Sequence, residues 1–341
     1  MKTLEELHAR YHLPLPELIF RAAEVHRQHH DIHDIQRCAL LSIKTGGCPE
    51  DCGYCAQSAR YRTGVEATPL LTVEEVRARA GEAKRLGATR FCMGTAWREP
   101  RDGPQFDRVL DMVRAVRQLG MEACVTLGML TDDQARRLAD AGLTAYNHNL
   151  DTSRRHYPNI VTTRSYEDRL DTLRAVARAG ISVCCGGILG MEETEEDRLM
   201  LLAELAQLDP PPESIPINCL TPIPGTPLEN AAPVDPLQLV RLIATTRLTF
   251  PRARVRLSAG RDRMSRELQV LCFVTGANSI FFGDKLLTAP NPDADADAEL
   301  FRAMGLAPSI SSPLAPRGRG VGVRGPAATL PPHPQPLSPE G

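Results

Sequence analysis

The sequence predicts a (β/α)8 TIM-type barrel with an N-terminal helical extension and a disordered C-terminal tail. Between about residues 39 and 284, short apolar runs alternate with longer charged stretches of helical period, and eight such units can be counted. Eight units over roughly 250 residues is the size of a closed barrel. Several helical stretches end in Gly, the usual residue just past a helix C-terminus. A doubly wound open sheet is the competing arrangement, and eight units favour closure.

Residues 1–35 read as amphipathic helix carrying His26, His29, His30 and His33, expected as surface residues of a leading helix rather than a metal tract. The strand candidates are ALLSIKTG (39–46), TRFCMGTA (89–96), EACVTLG (122–128), AYNHNLDT (145–152), SVCCGGILG (182–190), SIPINCLTP (214–222), RVRLSAG (254–260) and SIFFGD (279–284). Stretches such as VEEVRARAGEAKRLG (73–87) and SYEDRLDTLRAVARAG (165–180) are helical. The barrel is thus expected over 36–284, with 285–308 as a segment closing it. Residues 309–341 are rich in Pro, Gly and Ser with almost no core formers, and are expected to be disordered.

At 42% hydrophobic and 24% charged residues, with a net charge of -2, the chain has an ordinary globular composition. Nothing in the charge balance points to nucleic acid. No apolar run approaches the ~18 residues of a membrane span. The charged start does not read as a secretory signal, so a cytoplasmic protein is expected. Ten cysteines are many for such a chain. In a reducing compartment they point to metal or redox work, the alternative being small buried hydrophobes.

Cys48, Cys52 and Cys55 form a Cys-x3-Cys-x2-Cys run just after the first strand. In a barrel this is the C-terminal face, where active sites sit. Three thiolates can hold three corners of a [4Fe-4S] cluster, which takes four Cys when fully protein-ligated. The missing fourth leaves one iron open. Zinc is the alternative, and it would need a fourth ligand such as His that the following residues do not supply.

Strand alternation adds a second signal. With Phe91 and Met93 outward, Cys92 and Gly94 face inward; with Ala123, Val125 and Leu127 outward, Cys124 and Thr126 face inward. Likewise Ile181 and Val183 turn Cys184 inward, and Val255 and Leu257 turn Arg256 and Ser258 inward. An inward Arg is costly unless an anion compensates it. We therefore expect a [2Fe-2S] cluster held by Cys92, Cys124, Cys184 and Arg256. Arg is an unusual ligand, having no acceptor, and a purely neutralising Arg256 is the milder version; packing roles for all four are the alternative. Cys185 and Cys219 fall on the helix side, Cys272 lies in a helix and Cys38 precedes the first strand, so these four are expected to be structural. Asn147, Asn149 and Asp151 share one strand face, and Asn218 points inward from another strand. Buried amides must be hydrogen-bonded, either to a polar cyclic ligand or within an internal network.

The Cys48 run after the first strand resembles the radical S-adenosylmethionine (SAM) superfamily. In that superfamily the open iron chelates SAM, whose reductive cleavage gives methionine and a 5′-deoxyadenosyl radical. More closely, CPEDCGYCAQSARY, CMGTAWREP, MEACVTLG, YNHNLDTS, VCCGGILGMEET, PINCLTPIPGTPL, VRLSAGR and LTAPNP resemble, in order, the biotin synthase family over about residues 4–308. The resemblance implies sulfur insertion into dethiobiotin, with two SAM consumed and a bridging sulfide of the lumen cluster as the sulfur source. It implies SAM contacts from Asn149, Asp151 (to the ribose hydroxyls), Arg169, Gly94, Thr95 and Ala96. It further implies a dethiobiotin site at Asn147, Asn149, Asn218 and Thr288. It also implies a flavodoxin- or ferredoxin-type electron donor, the iron-sulfur assembly machinery and a homodimer. The family often has a second Thr where this chain has Ala289, and a Pro where it has Ala56. Lipoyl synthase, another radical SAM enzyme, would carry a cysteine motif within residues 1–37, where none stands. A non-catalytic barrel is the rival of another class, and it would not cleave SAM.

Overall fold

The computed structural model describes residues 3–283 and 285–306. The expected disordered tail, residues 309–341, lies outside them. Two helices lead the chain, Leu4–Tyr11 and Leu15–His29. The first is opened by a reciprocal capping box between Thr3 and Glu6. The second buries Leu18, Ala22 and His26 and packs on helices Pro236–Thr249 and Arg266–Thr275. Two histidines of the N-terminal group are thus packing residues. His26 is 3% exposed, and His30 accepts a bond from Arg247 Nη1 at 2.9 Å.

Nine parallel strands follow: β1 (Gln36–Lys44), β2 (Arg90–Thr95), β3 (Glu122–Thr126), β4 (Ala145–Asn147), β5 (Ser182–Cys184), β6 (Gly187–Leu189), β7 (Ser214–Cys219), β8 (Arg254–Leu257) and β9 (Ser279–Phe282). Their hydrogen-bonded order runs β5-β4-β3-β2-β1-β9-β8-β7-β6, and a β5–β7 pairing closes the ring. β5 and β6 are one barrel strand interrupted at Cys185–Gly186, so the closed eight-stranded barrel expected from the sequence is the fold. The interruption has a steric cause. A Cβ on Gly186 would lie 1.9 Å from the Pro216 carbonyl oxygen, and one on Gly187 would lie 2.9 Å from that of Asp151. Only glycine allows the backbones to approach this closely.

The outward residues Phe91, Met93, Ala123, Val125, Val183, Val255 and Leu257 join the helix-side core. Cys92 and Cys124 fall instead in a separate inner group with Cys38 and Ala145. Alternation therefore sorted these faces correctly. It failed for Cys38. The first strand begins at Gln36, not Ala39, because Gln36, Arg37 and Cys38 pair with Ser279, Ile280 and Phe281 of β9. Cys38 thus lies within the strand and faces the lumen. Cys185 and Cys272 are buried in the helix-side core, as expected. Cys219 packs there too, but at the end of β7 it also reaches the cavity rim.

After β9 come a short hairpin, β10 (Lys285–Leu286) with β11 (Ala289–Pro290), and helix Ala294–Ala303. Among the described residues no helix is long and apolar enough to cross a membrane.

Candidate active site

A cavity of about 320 Å³ opens at the C-terminal ends of the strands. Its wall includes Cys48, Cys52 and Cys55 at one level and Cys92, Cys124 and Arg256 at another. Gly94, Thr95, Ala96, Asn147, Asn149, Asp151, Arg169, Asn218 and Thr288 also line it. Of the cluster, SAM and substrate residues expected from the sequence, only Cys184 stands behind the wall, within 3.6 Å of Arg256 Nη1 and 3.4 Å of Asn147 Nδ2.

The cysteine loop is held from several sides. Cys48 N and O bond to Gln57 O and Ala59 N at 3.0 and 2.7 Å. Gly53 N donates to Ile160 O at 2.9 Å. The Asp51 carboxylate accepts the N–H groups of Thr162 and Thr163 at 2.9 and 3.2 Å. Buried Glu50 pairs with Arg98 at 2.8 Å. Burial raises the pKa of Cys48 and Cys52 and pushes Cys55 up to about 12. Three neutral thiols therefore line this wall, and a metal centre bound there would have to displace their protons. Among the described residues no three His, Cys, Asp or Glu side chains are arranged to chelate one metal ion.

Opposite the loop, Asp151 adopts a left-handed backbone (φ 68°) that Asp and Asn tolerate better than most residues. Its Oδ2 accepts from Tyr54 Oη at 2.7 Å and Arg169 Nη2 at 2.5 Å. Arg169 Nε donates to Tyr157 Oη at 2.7 Å. Burial alone would lower the Arg169 pKa; the Asp151 carboxylate and neighbouring hydroxyls outweigh it and the net shift is upward. The asparagines form a chain. Thr126 Oγ1 donates to Asn147 Oδ1 at 3.1 Å, and Asn147 Nδ2 donates to Asn149 Oδ1 at 3.1 Å. Asn218 bridges β6 and the turn after β8, donating to Gly187 O at 3.0 Å and accepting from Ala259 N at 3.2 Å. Each amide keeps part of its hydrogen-bonding capacity for a ligand.

The lumen residues sit lower. The Cys92, Cys124 and Cys38 side chains pack together in one buried inner group. Arg256 is 1% exposed, donates to Ser279 Oγ at 2.9 Å and stacks over Phe281. Among the described residues no carboxylate pairs with it. A fully buried guanidinium facing thiols and lacking a carboxylate fits an anionic, thiolate-bearing group in the lumen.

Residues 42–205 match the model of the Radical SAM superfamily, and residues 216–307 that of the Biotin and Thiamin Synthesis associated domain. The biotin synthase of Methylobacterium sp. (strain 4-46) is 63% identical over 91% of this chain and 94% of its own length. That of Gloeobacter violaceus is 60% identical over 91% of this chain and 97% of its own. The chain belongs to the biotin synthase family. Among solved structures, methylornithine synthase superposes with a TM-score of 0.76 at 20% identity, over 91% of this chain and 94% of that one. The [FeFe]-hydrogenase maturase HydG from Carboxydothermus hydrogenoformans gives 0.75 at 17% identity, over 89% of this chain and 75% of that one. These two share the fold.

Membership in the biotin synthase family makes the residues missed in the sequence more telling. Arg90 is 1% exposed and bonds Glu122 at 2.7 Å and Glu213 at 3.1 Å beneath the thiols. Arg164 reaches Cys52 Sγ at 3.9 Å. Buried His148 lines the cavity with Nε2 unpartnered, and burial lowers its pKa far enough to keep it neutral. Only Cys38 carried a sequence signal, one extra residue of alternation at the start of β1.

Proposed function

We propose that this chain converts dethiobiotin to biotin, inserting sulfur between two unactivated carbons with two SAM consumed per product. The observation that carries the reading is the shared cavity. Two thiol sets at different depths face one space, with Asn, Asp and Arg side chains between them. Cys48, Cys52 and Cys55 would hold a [4Fe-4S] cluster, and Cys92, Cys124 and Cys184 with Arg256 a [2Fe-2S] cluster. When bound, these groups supply electron transfer to SAM and a sulfur atom for the product.

The chain's own residues bind and orient. Asp151 is fixed by Tyr54 and Arg169 so that its carboxylate can accept the two ribose hydroxyls of SAM. Asn149 stands beside it, and Gly94, Thr95 and Ala96 border the methionine end. Asn147, Asn149 and Asn218 offer donors and acceptors to a urea-like ring, and Thr288 a hydroxyl to the substrate carboxylate. Residues 285–308 close the barrel after the 36–284 unit, their Leu286 and Leu287 forming cavity wall. Apolar wall there excludes water from a reactive centre. A flavodoxin- or ferredoxin-type donor, the iron-sulfur assembly machinery and a second copy of the chain are the partners this reading carries.

The test is complementation of a biotin auxotroph blocked at the last step. Growth is expected with the parent sequence and with neither Cys48→Ala nor Cys184→Ala. Growth with Cys184→Ala would sink the lumen group as sulfur source. Absence of 5′-deoxyadenosine from reduced, reconstituted protein with dethiobiotin would favour the non-catalytic barrel instead.

A further inference from the structure

Arg261 closes the VRLSAGR stretch and Asn291 falls in LTAPNP, yet neither lines the cavity or has a part in the reading above. The chain turns at Gly260 (φ 88°), where a Cβ would lie 2.8 Å from Cys219 O, and Arg261 follows it. Arg261 is 1% exposed, and so is Asp297. The guanidinium donates from Nε and Nη2 to Gln269 Oε1 at 3.3 and 3.0 Å, and from Nη1 to Phe281 O at 2.8 Å. Nη2 also pairs with Asp297 Oδ1, and Nη1 reaches Asp297 Oδ2 at 3.3 Å. One buried fork thus joins the turn after β8, helix Arg266–Thr275, the end of β9 and helix Ala294–Ala303. Phe281 O is shared: it accepts Asn291 Nδ2 at 3.1 Å, and the same amide donates to Gly283 O at 2.6 Å. Asn291 therefore ties the two ends of the β10–β11 hairpin to each other and to the carbonyl that Arg261 holds.

That hairpin has two residues in each strand, too few to fix its own position. It nevertheless supplies Leu286, Leu287, Thr288 and Ala289 to the cavity wall. Leu287 holds a left-handed backbone (φ 34°) and lies close against Gly94, where a Cβ would meet Leu287 Cδ2 at 2.7 Å. A Leu keeps such a backbone only where its surroundings impose it. The hairpin is therefore placed from its base. We propose that the buried Arg261–Asp297 pair positions the β10–β11 hairpin over the cavity and thereby sets the affinity for the substrate carboxylate at Thr288. Arg261 and Asp297 are positioning residues, touching neither substrate nor cofactor. The proposal rests on the Thr288 contact of the preceding reading and deepens it. A guanidinium fork on a carboxylate fixes direction as well as distance, which an apolar contact does not. Helix Ala294–Ala303 also buries Leu300 and Phe301, and Arg37 stacks over Phe301 at 4.9 Å. Removing one charge of the pair thus loosens the base of the hairpin without releasing the helix.

The test reads binding rather than turnover. The full chain and its Asp297→Asn, Thr288→Val and doubly substituted variants are reconstituted anaerobically with iron and sulfide. Equilibrium dialysis gives the affinity for SAM, and then for dethiobiotin with SAM present; hydrogen exchange is followed over residues 285–290 and over the cysteine loop. Loss of a hydroxyl bond to a carboxylate weakens binding roughly 10- to 150-fold, the effect expected of Thr288→Val. Asp297→Asn is expected to weaken dethiobiotin about tenfold or more while SAM stays within about twofold of the parent. Exchange should quicken in the hairpin and stay unchanged in the cysteine loop. The double variant should bind dethiobiotin no more weakly than Thr288→Val alone, because both substitutions remove one contact. Parental dethiobiotin affinity in Asp297→Asn, equal weakening of SAM and dethiobiotin, or additive effects in the double variant would each overturn the proposal. Should Asp297→Asn fail to fold, Arg261→Lys, which keeps the charge and loses the fork, takes its place under the same criteria. A parent that binds no dethiobiotin, or a Thr288→Val variant that binds it as the parent does, refutes the preceding reading and the proposal with it, a result distinct from silence at Asp297.

Discussion

Asp151→Asn isolates one charge at the centre of the site. Asn tolerates the left-handed backbone of this position (φ 68°), so the substitution leaves the chain path intact. It removes the negative charge from a buried pair whose side chains are 4% (Arg169) and 2% (Asp151) exposed. Breaking such a pair by removing one partner costs about 3–5 kcal/mol. The Asn carbonyl still accepts one bond, so the lower end, about 3 kcal/mol, applies. At roughly 2 °C per kcal/mol for a chain of this size, the melting temperature should fall by about 6 °C. The effect on SAM is separate. Losing hydrogen bonds to a charged acceptor costs about 1.5–3 kcal/mol, which weakens binding by roughly 10- to 150-fold. Differential scanning fluorimetry reads the first effect, and equilibrium dialysis of SAM against the reconstituted chain reads the second. A double cycle with Arg169→Met separates them, because it removes the stranded guanidinium and should recover stability without recovering affinity. An Asp151→Asn protein with parental melting and parental SAM affinity would refute both the pair and the ribose role.

Two further outcomes follow from buried charge elsewhere. Burial and then Arg247 lower His26 to about 3 and His30 to about 4 from 6.5, so the folded state excludes protons that the unfolded chain binds. Stability from these groups is full above pH 6.5 and is lost as pH falls from there toward about 4 and then 3. Urea midpoints measured across that window should fall less steeply in His30→Gln; an identical slope would remove His30 from the account. Arg90→Met strands Glu122 and Glu213 beneath the lumen and should cost about 3–5 kcal/mol, seen as a lower urea midpoint, whereas an unchanged midpoint would mean that water already solvates both carboxylates.

How much of this could be read in the sequence depended on the kind of regularity each feature obeys. Cys92, Cys124 and Arg256 lie in strands with unbroken alternation, so parity placed them on the right face. The start of β1 was misjudged because Gln36 and Arg37 look like solvent-exposed residues. Gln36 in fact donates to buried Glu122 at 3.1 Å, a partner 86 residues away that no local pattern reveals. The break between β5 and β6 escaped for a related reason, since the demand for glycine at Gly186 comes from Pro216 on another strand. Tyr54 and Arg164 project from loops, where there is no period to follow. Tyr54 donates to Asp151, 97 residues away, and Arg164 reaches Cys52 next to the Asp51 bonds to Thr162 and Thr163.

The two lumen arginines show how one barrel interior can carry charge for opposite ends. Both are 1% exposed. Arg90 meets Glu122 and Glu213 and is neutralised by the protein itself. Arg256 meets a hydroxyl, an amide, an aromatic face and the Cys184 sulfur, all of them uncharged while the thiols hold their protons. A buried guanidinium in such company is destabilising by several kcal/mol. Deprotonated, metal-bound thiols would turn the same contacts into favourable ones. Under the proposed reading Arg256 would couple folding of the barrel to loading of its lumen, whereas Arg90 is already held by two carboxylates of the protein itself.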